Sequence, residues 1–302
     1  MSPGRRRTPF GLRLATAMDV HGPLCVGIDP HPALLDAWGL PDDASGLAEF
    51  ARRVMEAVGG HVAAVKPQSA FFERHGSAGV AVLEEIVAAG RASGTLVIID
   101  AKRGDIGSTM AAYADAYLRD GSPLAGDALT VSPYLGFGSL APAVDAALAT
   151  GRGLFVLALT SNPEGRAIQH ARAADLDDPG QGAGSQGPSV AGSVAAAAGR
   201  LNAAELAVAG GELGSVGLVV GATVGAAVAL LGIDLGAVRG PLLAPGVGAQ
   251  GAGAAELAAV FGSARRAVLA SSSRAILAAG PGIEALRAAA RGAAADATIA
   301  LR

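Results

Sequence analysis

The residues best suited to chemistry lie together. The stretch "DAKRGD", residues 100–105, sets Asp100, Lys102, Arg103 and Asp105 directly behind the apolar run Leu96-Val97-Ile98-Ile99. Only 16% of the chain is charged, so this crowding at the end of a buried strand needs a reason. On an extended strand, residues two apart project to the same side. Asp100 and Lys102 are thereby aimed at one point, while Asp105, beyond Gly104, need not share it. Carboxylates flanking a lysine favour its charged form. That makes Lys102 a poor nucleophile or Schiff-base former and a good proton donor to a developing carbanion. The plainer alternative is a salt-bridge network that only closes the top of the fold.

Other polar residues end apolar runs in the same way. Asp29 follows "LCVGI" (24–28), Lys66 ends "VAAVK" (62–66), and Thr160-Ser161-Asn162 follow "GLFVLAL" (153–159). "PGVGAQG" with Gln250 follows "GPLLAP" (240–245), and "SSSRAI" with Arg274 follows "RAVLAS" (266–271). Glycine backbone N–H groups and helix starts suit phosphate, and arginine gives it bidentate contact. Gln250 and Arg274 are therefore the candidate phosphate ligands. The five histidines (His21, His31, His61, His75, His170) show no metal-ligand spacing, and the single Cys25 excludes a disulfide framework or thiolate cluster.

The elements that must position these residues are legible as eight apolar runs. Besides those named they are "TLVIID" (95–100), "DALTV" (127–131) and "VGLVV" (216–220). Continuous rather than alternating apolar character marks parallel strands buried on both faces. Between them lie helical patterns such as 46–58, 78–92, 193–207, 253–262 and 273–290. Eight strands alternating with helices predict a single-domain α/β protein, a (β/α)8 TIM barrel over 1–302, whose sites gather at the C-terminal strand ends. A doubly wound open sheet is the alternative, but "GIDPHPALL" lacks the glycine fingerprint expected in its first turn. Residues 1–12 are expected as a flexible terminus. The Gly- and Asp-rich 162–189, after the fifth strand, is expected as a lid or mobile loop.

Composition excludes several functions. Net charge is −3, with no broad basic field for nucleic acid. No apolar run reaches the ~18 residues a spanning helix needs, and no signal-peptide pattern follows the basic start. A cytoplasmic protein with neither membrane nor nucleic-acid partner is expected.

With these residues in view, "DAKRGDIGST" is similar to the Asp-x-Lys-x-x-Asp signature of the orotidine 5′-phosphate decarboxylase family. "CVGIDPHP", "AVKPQSAFFE", "TVSPYLG", "LTSNPEG", "APGVGAQG" and "SSSRAI" resemble its second sequence type, found in actinomycetes. The resemblance runs from about Thr8 to the final helix. It implies decarboxylation of orotidine 5′-phosphate to UMP with no cofactor, metal or covalent intermediate. Lys102 would then protonate C6 after CO₂ leaves, beside Asp100, with Lys66 bridging Asp100 and the ribose. Asp29 would hold a ribose hydroxyl, Ser161 and Asn162 the pyrimidine, and Gln250 and Arg274 the phosphate. Asp105 and Thr109 would reach the neighbouring subunit's site in a homodimer.

Two rivals share the scaffold. A metal-dependent sugar-phosphate decarboxylase or epimerase would hold Mg²⁺ through acids such as Asp100, but "TSNP" and "SPYLG" argue against it. A non-catalytic nucleotide-binding barrel would have no need of a charge-balanced proton donor.

Overall fold

A computed structural model describes residues 7–172, 187–247 and 252–302. Helix α1 (Phe10–His21) precedes β1 (Leu24–Ile28), α2 (Pro32–Ala37), α3 (Ala44–Val58), β2 (Ala64–Pro67), α4 (Ser69–Glu73) and α5 (Gly76–Ser93). There follow β3 (Leu96–Arg103), α6 (Gly107–Leu118), β4 (Ala128–Val131), α7 (Ala141–Thr150) and β5 (Gly153–Leu159). Next come α8 (Arg166–Gln169), α9 (Val190–Ala209), β6 (Val216–Val220), α10 (Ala227–Leu230), β7 (Leu242–Pro245) and α11 (Ala254–Phe261). Strand β8 (Val268–Ser272), α12 (Arg274–Leu277) and α13 (Ile283–Leu301) complete the chain.

The eight strands pair in parallel, each with the next and β8 with β1, into a closed barrel, as the sequence predicts. Apart from the C-terminal ends of β3 and β7, the strands are buried on both faces, which explains their unbroken apolar character. Outward residues such as Val26, Val97, Val156 and Leu218 pack under the helices, whereas Cys25, Ala64, Ile98, Ala128 and Phe155 fill the interior. Small residues let the helices approach closely. A Cβ on Gly90 of α5 would meet the Val97 side chain at 2.2 Å.

Two expectations are corrected. Residues 10–12 are part of α1 rather than a flexible terminus, and Phe10 is fully buried. Phe10, Leu14 and Met18 fall at helical spacing and seal the floor of the barrel, with the Phe10 ring edge-on to Phe155 at 5.9 Å. Residues 1–6 lie outside the described part. The run 273–290 forms two helices, α12 and α13, because Pro281 between two glycines cannot continue a helix.

Of the expected lid, 163–169 is helical, with a 3-10 turn Pro163–Gly165 leading into α8. An antiparallel bridge Arg172–Ser189 and a Val190 N–H bond to the Ala171 carbonyl (2.8 Å) tie its two ends together. Residues 173–186 lie outside the described residues.

Candidate active site

A parallel barrel brings every C-terminal strand end to one face, and there the predicted charges meet. Asp100 is 8% exposed and Lys66 7%, so both would be costly to bury unpaired. Lys66 Nζ donates to Asp100 Oδ2 at 2.7 Å, and Lys102 Nζ donates to Asp100 Oδ1 at 2.6 Å. The Thr130 hydroxyl on β4 donates to the same Oδ1 at 2.8 Å. The Gln68 amide, with its nitrogen turned toward Asp100, donates to Oδ2 at 2.7 Å and to the backbone carbonyl at 3.0 Å.

The electrostatics follow from this geometry. Burial pushes the Asp100 carboxyl up, but Lys66 and Lys102 outweigh it and hold it down at about 2. Burial likewise works against the charge on Lys66, yet Asp100 and Asp29 prevail and raise its pKa. The two lysines differ in access. The Lys66 side chain is 9% exposed and that of Lys102 44%, so Lys66 is a sealed counter-charge and Lys102 the cation that faces the open mouth.

The four charges at the end of β3 and just beyond it have separate jobs. Arg103 points away from the mouth, pairing with Glu73 of α4, donating to the Tyr117 hydroxyl at 3.2 Å and lying 5.5 Å from the Tyr113 ring centroid. It fastens the strand end to the surrounding helices. Asp105 stands apart from the Lys66–Asp100–Lys102 chain, and its Oδ1 accepts the Ile106 N–H at 2.8 Å.

The route by which Asp100 and Lys102 come to share a point differs from the strand-period argument. Lys102 has φ +46, a left-handed backbone that side chains other than glycine seldom adopt. The β3–β4 register runs Ile99↔Leu129 and then Arg103↔Val131, so three residues of β3 face Thr130 alone. This is a β-bulge, and it re-aims Lys102 toward Asp100.

The remaining predicted residues line the same rim without joining the charge chain. Asp29 follows β1, and its Oδ1 is buried with no hydrogen-bond partner among the described residues. The Ser273 hydroxyl, beside Gly27, is buried and unpartnered likewise. Ser161 and Asn162 are exposed after β5, with Asn162 Oδ1 accepting from the Thr160 hydroxyl at 2.6 Å. Arg274 is exposed at the first residue of α12, and Thr109 is exposed in the first turn of α6. Gln250 lies outside the described residues. Among the described residues no three His, Cys, Asp or Glu side chains form a metal-ligand group, and no helix is long and apolar enough to cross a membrane.

Thr130 and Gln68 were not singled out from the sequence. A hydroxyl inside the otherwise apolar "ALTV" (128–131), and an amide two residues past Lys66, are the signals that could have found them.

Residues 22–289 match the family model described as Orotidine 5′-phosphate decarboxylase / HUMPS family. An orotidine 5′-phosphate decarboxylase from Salinispora arenicola is 59% identical over 292 residues, covering 97% of this chain and 98% of that protein. One from Streptomyces coelicolor is 57% identical over 282 residues, covering 93% and 94%. A crystal structure assigned to the same enzyme from Streptomyces avermitilis superposes with a TM-score of 0.89 at 55% identity, covering 100% and 99% of the two chains. The Leishmania donovani OMP decarboxylase structure gives 0.71 at 30% identity, covering 97% and 99%.

Proposed function

The chain belongs to the orotidine 5′-phosphate decarboxylase / HUMPS family and decarboxylates orotidine 5′-phosphate to UMP; from that premise we propose that Lys102 is the group that makes the reaction possible. The observation that carries this is the hydrogen-bonded chain Lys66–Asp100–Lys102, whose outer lysine alone opens to the mouth.

The reaction breaks the bond from C6 to the carboxylate and leaves its electron pair on C6, where the pyrimidine offers little resonance help. Enzymes supply roughly 8–23 kcal/mol of barrier lowering, and in this reading much of it is a cation held in advance beside the developing charge. Lys102 is that cation. Its Nζ–H passes a proton to C6, giving UMP, and the neutral amine is recharged from water. Asp100, ionised far below neutral pH, fixes the ammonium in place, while Lys66 balances the carboxylate from behind.

Substrate contacts follow the rim. Asp29, with a buried oxygen that has no partner among the described residues, takes a ribose hydroxyl, and Ser161 with Asn162 takes the pyrimidine edge. Arg274 takes the phosphate, joined by Gln250. Phosphate binding far from the reacting carbon can supply energy for orientation and desolvation at C6.

The functional unit in this reading is a homodimer, in which Asp105 and Thr109 reach the partner's site. Its support is apolar surface exposed in the loops after β3 and β4, Ile106 standing next to Asp105 in sequence. Ile106 is 61% exposed, Tyr134 72% and Leu135 53%, an expensive surface to leave in water. The compartment proposed is the cytoplasm.

The test is Lys102→Ala. UMP formation is abolished while UMP itself still binds within tens of fold of wild type, and near-normal turnover would sink the mechanism. Mixing Lys102→Ala with Asp105→Ala protein probes the dimer. Hybrid dimers recover activity if sites are shared, and no recovery counts against sharing.

A further inference from the structure

The bulge that aims Lys102 has a single side chain beneath it. Asp100, Ala101 and Lys102 all face one residue of β4, so the backbone ladder cannot serve their N–H groups in the usual way. Thr130 stands in for it. Its Oγ1 accepts the Lys102 N–H at 3.0 Å and donates its own proton to Asp100 Oδ1 at 2.8 Å. A hydroxyl carries one proton and two lone pairs, and here the two bonds reach the two partners of the outer ion pair.

Thr130 is 1% exposed, so neither bond competes with water. Its neighbours on β4, Ala128, Leu129 and Val131, are buried and apolar. A hydroxyl at this depth is costly unless bonded, and an apolar side chain of the same shape would suit the core better. The left-handed Lys102 backbone is strained, and a strained residue persists only where its surroundings hold it.

We propose that Thr130 is a positioning residue for the decarboxylation, locking the left-handed Lys102 backbone and the Asp100 carboxylate in one geometry through a single hydroxyl. The proposal rests on the reading of Lys102 as proton donor. Thr130 does not touch substrate. It fixes where the Lys102 ammonium sits, and an error near 1 Å there can cost on the order of 100-fold in rate.

The test compares Thr130→Val, which keeps the shape and removes both bonds, with Thr130→Ser, which keeps the hydroxyl and loses the methyl. Thr130→Val is expected to lower kcat on the order of 10- to 100-fold while KM and UMP affinity stay within about threefold, since only the transition-state geometry is disturbed. Thr130→Ser is expected to keep kcat within about threefold of wild type, because the hydroxyl bonds survive. A merely structural role predicts instead that both variants lose Tm, with kcat per folded molecule unchanged. The proposal is overturned if Thr130→Val turns over within twofold of wild type, or if Thr130→Ser is as slow as Thr130→Val. Should Thr130→Val not fold, Thr130→Ala measured in the same way takes its place. Lys102→Ala run alongside separates the two claims. An active Lys102→Ala defeats the donor assignment, whereas an inactive Lys102→Ala with normal Thr130→Val defeats only this one.

Discussion

The two ends of the barrel use polar groups in opposite ways. At the floor, side chains bond to the protein's own backbone. Arg152 is 1% exposed and donates to the carbonyls of Gly126 and Leu118 and to Asp120, at 2.9, 3.1 and 2.6 Å. Asn202, fully buried, bonds to both the N–H and the C=O of Val216 and to the Val238 carbonyl. Arg13 of α1 pairs with Asp127 and reaches the Gly151 carbonyl at 2.9 Å. At the mouth, Asp29 and Ser273 keep buried polar atoms without partners among the described residues, and Lys102 holds a strained backbone. The same eight strands form both ends, so the contrast is one of purpose. The floor is satisfied by the chain, and the mouth is completed by what binds it.

This contrast can be broken by variants that separate turnover from stability. The largest effect belongs to Lys102→Ala, for which steady-state assay should show turnover lost while calorimetry finds Tm within a few degrees of wild type. Phe10→Ala is its mirror image. It empties the floor beside Phe155 and should cost about 3–5 kcal/mol, read as a Tm lower by roughly 10 °C, with kcat per folded molecule preserved. A large kcat loss in that variant would show that the ends are not independent. Arg274→Ala should lower kcat/KM roughly 10- to 100-fold, the size of a lost charge-assisted phosphate contact, without moving Tm.

The smallest effect is a pH dependence. Asp100 falls from 3.8 to about 2 on folding, so the folded state releases the proton more readily and gains stability above the unfolded value. That contribution, worth roughly 2 kcal/mol, is full above about pH 4 and is lost as pH falls toward 2. Denaturant titrations across that window should show the loss in wild type and less of it in Asp100→Asn. Equal slopes would mean that Asp100 is not held as described.

Much of this was readable from residue order. The runs at 24–28, 153–159 and 216–220 coincide with β1, β5 and β6, because a parallel strand buried on both faces leaves a continuous apolar signature. The meeting of Lys66, Asp100 and Lys102 was legible too, since strand ends of a parallel barrel must converge. The floor helix was not. The arginines ahead of it drew attention from the Phe10, Leu14, Met18 stripe, whose partner surface exists only once the barrel closes. The bulge at Lys102 depends on where β4 sets its register, the role of Thr130 depends on that bulge, and the role of Gln68 depends on its bridge to Asp100 from the β2 side. Such cross-strand facts leave only a polar residue in an apolar run as their trace.

The account stands most directly on one measurement: the absorbance of orotidine 5′-phosphate on adding the purified protein in excess chelator. The substrate signal is expected to disappear at the same rate as without chelator, with one equivalent of UMP formed. An unchanged signal, or a rate that collapses with chelator and returns with a divalent metal, would contradict an ammonium at Lys102 as the group that carries the reaction.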